Sequence, residues 1–193
     1  MTVPRFVFSL SLLFLLSAGI VRGQDPGGPI SLKGLDGEPV VVLEAGKKKA
    51  VVLFFVSPYC PTSNTFGPEM KAIEGDFGDD FAFRYIHSDS SVKAADRLQH
   101  ASMMGFESPV LDDSAQVLAK KWEAKTTPEV LVIDPEGKLL YRGRINDLYL
   151  APTKRQREVT VNDLRDALTA IREGTPVAVP RTEAVGCSIT WRE

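Results

Sequence analysis

Seven consecutive apolar positions, Ala50-Val51-Val52-Leu53-Phe54-Phe55-Val56, stop abruptly at Ser57-Pro58-Tyr59-Cys60-Pro61. An uninterrupted run of this length, rich in Val and Phe, predicts a strand buried on both faces. Residues 81–87 alternate well enough for a second central strand. Residues 129–134 and 138–141 predict two more, joined by Asp134-Pro135-Glu136-Gly137, whose turn chemistry and shortness require antiparallel pairing. Upstream, residues 30–32 and 39–43 flank Gly34-Leu35-Asp36-Gly37 and predict a small hairpin, and a short strand is expected around 109–111. Phe66, Met70 and Ile73 recur at helical spacing, so a helix should run from Cys60 to about residue 75. A second helix is expected over 90–104, capped by Ser90 or Ser91, with Val92, Ala95, Leu98 and Met103 as its apolar positions. A third, over 114–122, has Asp112 or Asp113 as cap; the last, over 164–172, ends at Gly174. Residues 148–158 read as an irregular basic insert. The order strand-helix-strand-helix-strand-helix-strand-strand-helix is that of a layered α/β domain.

The 193 residues divide into three parts. One charge, Arg5, precedes the apolar segment 6–21, and Arg22-Gly23-Gln24 follows it, which predicts a secretory signal peptide over 1–23, cut after Gly23. An uncleaved anchor is the alternative, although the segment is slightly short for a bilayer span. Export places the mature chain in the periplasm or outside the cell, and a membrane enters only through the leader if it stays attached. Residues 24–173 are the size of one compact domain, and residues 174–193 form a tail carrying Cys187. A formal charge of −2 gives no basic surface for nucleic acid, so no nucleic-acid partner is expected.

The candidate chemistry is sulfur chemistry. Cys60 falls where the central strand gives way to a helix, and Pro61 suits the first helical turn, where its missing N–H would be unpaired anyway. A thiol there faces the positive end of a helix dipole, which favours negative charge on sulfur; a buried structural cysteine is the plainer alternative. The chain has two cysteines, Cys60 and Cys187, and an oxidising compartment lets them pair. Neither Cys-x-x-Cys nor Cys-x-x-x-Cys occurs, which removes the ordinary dithiol motif, zinc ribbons and a copper-chaperone site. His87 and His100 are the only histidines. No metal and no cofactor is expected.

A hydrophobic strand delivering Cys60-Pro61-Thr62-Ser63-Asn64 to a helix start resembles the thioredoxin superfamily, most closely its secreted redoxin (AhpC/TSA-type) branch. Lys125-Thr126-Thr127-Pro128-Glu129-Val130 resembles the family's cis-proline loop. Tyr141-Arg142-Gly143-Arg144-Ile145-Asn146-Asp147 resembles the hairpin that follows it, and Gly186-Cys187-Ser188-Ile189-Thr190-Trp191 resembles the terminus of many exported redoxins. The resemblance implies a thioredoxin-like three-layer sandwich with a mixed central sheet, an N-terminal β-hairpin and an extended C-terminal tail. It implies a thiol-disulfide oxidoreductase in which Cys60 is the nucleophile, the Ser63 hydroxyl hydrogen-bonds its sulfur, and Tyr59, Pro61, Thr127 and cis Pro128 meet an extended substrate peptide.

Two positions depart from the family: Ser63 stands where a second motif cysteine is usual, and Phe54 where thioredoxins bury an acid six residues before the nucleophile. Proton transfer must then come from elsewhere, with Glu129, His87 or water as candidates. Cys187, on a tail long enough to reach Cys60, is the candidate resolving thiol; a structural Cys60–Cys187 staple, or unpaired or intermolecular thiols, remain open. The expected partners are protein thiols or disulfides and an unidentified electron donor or acceptor. The alternatives are a redox-inert peptide-binding domain and a peroxiredoxin-like thiol peroxidase; for the latter Ser57 fits the family pattern and Leu53 does not. Each redox reading needs the Cys60 sulfur to be reachable at the mouth of the sheet.

Overall fold

The computed structural model describes residues 29–192, so the expected signal peptide and the segment 24–28 lie outside the described residues. Ser31–Gly34 (β1) and Pro39–Val41 (β2) pair antiparallel in the expected hairpin. Ala50–Phe55 (β3) is buried at every position because layers cover both of its faces. Val52 and Phe54 pack with Met70, Ile73, Leu164 and Leu168 on one side, and Val51, Leu53 and Phe55 with Leu118, Ala119 and Leu131 on the other. This odd-even division is what a strand with two apolar faces requires.

Where one helix was expected after Cys60, two form: Pro61–Thr65 (α1) and Gly67–Phe77 (α2). The break falls at Phe66 because Pro68 has no N–H to give Asn64 and its ring would strike that carbonyl. Phe81–His87 (β4) runs parallel to β3. Ala94–Met104 (α3) starts four residues later than expected, after Lys93, and neither Ser90 nor Ser91 caps it. Ser91 turns instead to Asp89 Oδ1, at 3.0 Å from its N–H and 2.7 Å from its hydroxyl, and Ser90 turns to the tail. The buried face of α3 is also not the one expected. Leu98 and Met103 are 52% and 71% exposed, while Arg97 and His100 are buried. Each buried polar side chain brings partners of its own: Arg97 bonds Val92 O at 2.7 Å and Asp112 at 3.1 Å, and His100 bonds Asn64 and His87.

Val110–Asp112 (β5) extends the parallel part of the sheet, and Val117–Trp122 (α4) follows. Gln116 holds the cap position of α4, yet the Asp113 carboxylate does the capping chemistry, accepting the N–H groups of Leu118 and Ala119 at 3.0 Å each. Thr126–Thr127 (β6) leads into Glu129–Ile133 (β7) and Leu139–Gly143 (β8), the expected antiparallel pair. In place of an irregular insert, Tyr149–Ala151 (β9) and Lys154–Arg155 (β10) form a short hairpin. Asp163–Glu173 (α5) ends at Gly174, whose φ of 72° is the left-handed stop that glycine allows. The last strand is Cys187–Ser188 (β11).

The main sheet runs β2-β1-β5-β4-β3-β7-β8, parallel through β5-β4-β3 and antiparallel elsewhere. Residues of α2 and α5 pack on one face, and those of α4 on the other. This is a thioredoxin-like three-layer sandwich with a mixed sheet. No helix among the described residues is long and apolar enough to cross a membrane.

Candidate active site

Adjacent antiparallel strands bring the two halves of the site together. Phe55, at the end of β3, lies opposite Glu129, at the start of β7, so the residues after β3 and before β7 meet at one end of the sheet. Cys60 is the N-cap of α1, in extended backbone (φ −97°, ψ 106°), and Pro61 takes the first turn. The Ser63 backbone N–H donates to Cys60 Sγ at 3.3 Å, and the thiol donates to Thr127 O at 2.9 Å. The Thr127–Pro128 bond is cis. A donor at a helix start aimed at sulfur stabilises negative charge there.

The Ser63 hydroxyl does not serve the sulfur as expected. Its oxygen accepts the Ser57 N–H at 3.4 Å, and the backbone amide of the same residue reaches Sγ. Spacing i to i+3 from an N-cap brings either group near the cap, so the sequence could not separate them. Tyr59 projects outward, 52% exposed, with its hydroxyl on Asp96. Neither proton-transfer candidate bonds Cys60. Glu129 spends one carboxylate oxygen on Arg142 at 2.7 Å and the other on the Lys125 N–H at 3.0 Å, bracing the loop that carries Thr127 and Pro128. His87 bonds His100.

The tail does what the spacing only allowed. β11 pairs antiparallel with β6, Cys187 opposite Thr127 and Ser188 opposite Thr126. The edge on which a substrate peptide was expected is therefore filled by the chain's own last strand, and Cys60 is 1% exposed, not reachable as expected. Gly186 makes this closeness possible: a Cβ there would overlap Thr127 O and stand 2.7 Å from its carbonyl carbon. Farther back, the Arg142 N–H reaches Pro180 O at 3.0 Å and the Thr182 N–H reaches Arg142 O at 2.9 Å, so the tail first lines the β8 edge. Gly143 leaves room for Thr182 there.

Both cysteines are free thiols. Burial, then a hydrogen bond to Cys60 and the charge of its sulfur, push the Cys187 thiol up to about 12. Docked, Cys187 stays protonated near neutral pH. Among the described residues no group of three or more metal-ligating side chains gathers.

A buried central strand that hands a cysteine to a helix start, facing a cis-proline loop from the neighbouring strand, defines the thioredoxin-like class. A family model described as thioredoxin-like matches residues 47–139. Architecture and match together give the described residues a thioredoxin-like fold. No curated protein matches it. Among solved structures, it is similar to an uncharacterized conserved protein from Geobacillus kaustophilus, at 27% identity over 85% of this chain and 89% of that one, TM-score 0.74. It is likewise similar to a hypothetical protein from Sinorhizobium meliloti, at 26% identity over 85% and 91%, TM-score 0.75. A secreted Mycobacterium tuberculosis disulfide oxidoreductase, described as homologous to Escherichia coli DsbE, shares the fold at 16% identity over 74% and 96%, TM-score 0.56.

Proposed function

We propose that the protein is an exported thiol-disulfide oxidoreductase in which Cys60 attacks and Cys187 resolves. The observation that carries this reading is the register of β11, which sets Cys187 opposite Thr127 and against the Cys60 sulfur that bonds the same residue. The Cys60 thiolate attacks one sulfur of a substrate disulfide, forming a mixed disulfide and releasing the other sulfur as a thiolate. Cys187 gives its proton to solvent or to that leaving thiolate, attacks Cys60 Sγ, and expels the second substrate thiol. The substrate gains two electrons, a Cys60–Cys187 disulfide forms, and an external dithiol returns the chain to its reduced state. The apolar leader over 1–23 supports export to the periplasm or the exterior.

The order of events follows from the thiols. Cys187 is held protonated partly by Cys60 itself, so the first attack falls to Cys60.

The test is insulin reduction driven by dithiothreitol. Cys60→Ser should lower turnover at least about a thousandfold, as loss of a nucleophile does. Cys187→Ser should slow turnover and accumulate a mixed disulfide at Cys60 that intact-mass measurement detects. Full activity in Cys60→Ser sinks the reading. A Cys60–Cys187 potential well below about −300 mV would assign the pair to a structural staple instead.

A further inference from the structure

Beyond the reacting pair, one side chain gathers much of what holds the tail. Gln116 is fully buried and sits at φ 60°, ψ 30° ahead of α4. Its Nε2 donates to Ser88 O at 2.9 Å and to Thr190 O at 2.7 Å, and its Oε1 accepts the Arg192 N–H at 2.8 Å. Ser90 adds two donors to the same Thr190 carbonyl, its N–H at 3.2 Å and its hydroxyl at 2.9 Å. Between the strand and this grip, Ile189 is buried in the cluster that holds Leu118, and its N–H reaches Lys125 O at 2.9 Å. The tail is thus pinned just beyond Cys187 by an apolar anchor and a polar clamp.

A buried amide often does no more than satisfy its neighbours. Here two of the three bonds cross to residues 190 and 192, so undocking the tail would take the partner from Gln116 Oε1 and from one of the two Nε2 hydrogens, leaving only the bond to Ser88 O. The clamp therefore raises the free energy of every state in which Cys187 has left Cys60.

We propose that Gln116 is the positioning residue of the resolving step: it clamps the tail at Thr190 and Arg192 so that Cys187 is held opposite Thr127 at the Cys60 sulfur. Releasing it frees the β6 edge for an extended segment of a substrate. This rests on the resolving role proposed for Cys187. The clamp sets a balance between the two chemical steps, since a docked tail speeds closure and shields Cys60 from outside reagents.

The experiment uses the full chain and three measurements. In oxidised glutathione, the two thiols form the intramolecular disulfide and release two reduced glutathiones, and the equilibrium constant reports the effective concentration of Cys187 at Cys60. Alkylation of Cys60 by iodoacetamide in a Cys187→Ser background reports shielding. Amide exchange at Ile189, compared with amides of β3 and β7, reports local undocking. Gln116→Gly, which suits the left-handed backbone, should lower the glutathione constant about tenfold to a hundredfold, the worth of the lost buried bonds. It should speed Cys60 alkylation and Ile189 exchange by a similar factor, and leave β3 and β7 exchange unchanged. Gln116→Glu, of the same shape but without the two amide donors, should move all three the same way. In an Ile189→Ser background the further effect of Gln116→Gly should shrink to less than about twofold, because the tail has already let go.

An unchanged glutathione constant, or faster exchange spread evenly over β3 and β7, overturns the proposal and leaves Gln116 a structural amide. If Cys60 formed no disulfide at all, the redox reading would fail while alkylation and Ile189 exchange still decided whether the clamp exists.

Discussion

Phe54→Asp, which restores the acid that thioredoxins bury at this place, should leave the chain unable to fold. Phe54 is fully buried, its ring stacked on Tyr85 at 5.4 Å and Phe83 at 6.1 Å between centroids. Truncating such a ring costs about 3–5 kcal/mol in lost burial and cavity. A carboxyl group in this layer would also be poorly partnered, because Val52, Met70 and Leu168 of the same cluster offer no polar group and the Tyr85 hydroxyl is already donated to Glu74 at 2.7 Å, and that adds roughly 1–3 kcal/mol even for a neutral acid. The sum approaches the whole stability of a typical domain, about 5–15 kcal/mol. Phe54→Leu, which keeps the site apolar, should cost only about 1–2 kcal/mol. Soluble yield and urea unfolding of the two variants check this. If Phe54→Asp unfolds within about 1 kcal/mol of the parent, the packing account is wrong. A phenyl ring has no proton to give or take, so any transfer at Cys60 has to involve other groups.

How far the sequence could be read depends on what kind of side chain fills each position. Continuous apolar runs leave one solution, and β3, β4 and β7 form where those runs lie, all but one of their residues buried. The Cys60 motif and the Thr127-Pro128 loop were expected at one site from the resemblance alone; the contact between them comes from the fold, where Cys60 follows β3, Thr127 precedes β7, and the two strands are neighbours. Helix α3 was not legible in the same way. Its apolar residues are few, and the stripe facing inward is carried by Arg97 and His100, which satisfy each other's surroundings through Asp112, Asn64 and His87. Hydrophobic periodicity is blind to a polar face that brings its own partners. The break at Phe66 was present in the sequence as Gly67-Pro68 and follows from proline's missing N–H. For the tail, the motif announced a role, but only the register explains its letters. Gly186 clears the Thr127 carbonyl, Cys187 lies opposite Thr127, whose carbonyl takes the Cys60 thiol, and Ile189 enters the core. Gln116 carried no signal at all: a single glutamine before a short helix acquires its meaning only when residues 190 and 192 fold onto it.

Acid should destabilise the fold before its carboxylates begin to titrate, with His87 and His100 as the cause. The hydrogen bonds fix which nitrogens carry protons. Asn64 donates from Nδ2 to Pro58 O at 2.9 Å, so its Oδ1 must accept from His100 Nε2 at 3.0 Å. His100 Nδ1 is then the acceptor for His87 Nε2 at 3.4 Å, and His87 Nδ1 is left bare and buried. A proton on either ring breaks this chain or places a charge where nothing receives it. Burial, followed by the charges of His100 and Arg97, lowers His87 to about 3, and burial lowers His100 to about 4. Arg97 is itself neutralised by Asp112 at 3.1 Å, and Phe106 closes the other side of His100 without charge. In the unfolded chain both rings take protons near about 6.5. Below that pH the unfolded state binds up to two more protons than the folded one, so stability is full above about 6.5 and falls toward 4. The slope is up to about 2.7 kcal/mol per pH unit for two protons. Carboxylates such as Asp147, held low by its hydrogen bond from Thr160, add their loss only below about 5. Urea unfolding between pH 7.5 and 4.5 measures this directly. His100→Gln should roughly halve the slope, since it removes one of the two titrating rings. Equal stability of the parent at pH 7 and pH 5 would show that the pair does not titrate as its burial requires. Because the chain of bonds ends on Pro58 O, two residues before Cys60, the first place to loosen in acid should be the loop that presents the nucleophile, and Cys60 alkylation at pH 5 should outpace exchange of the β3 amides.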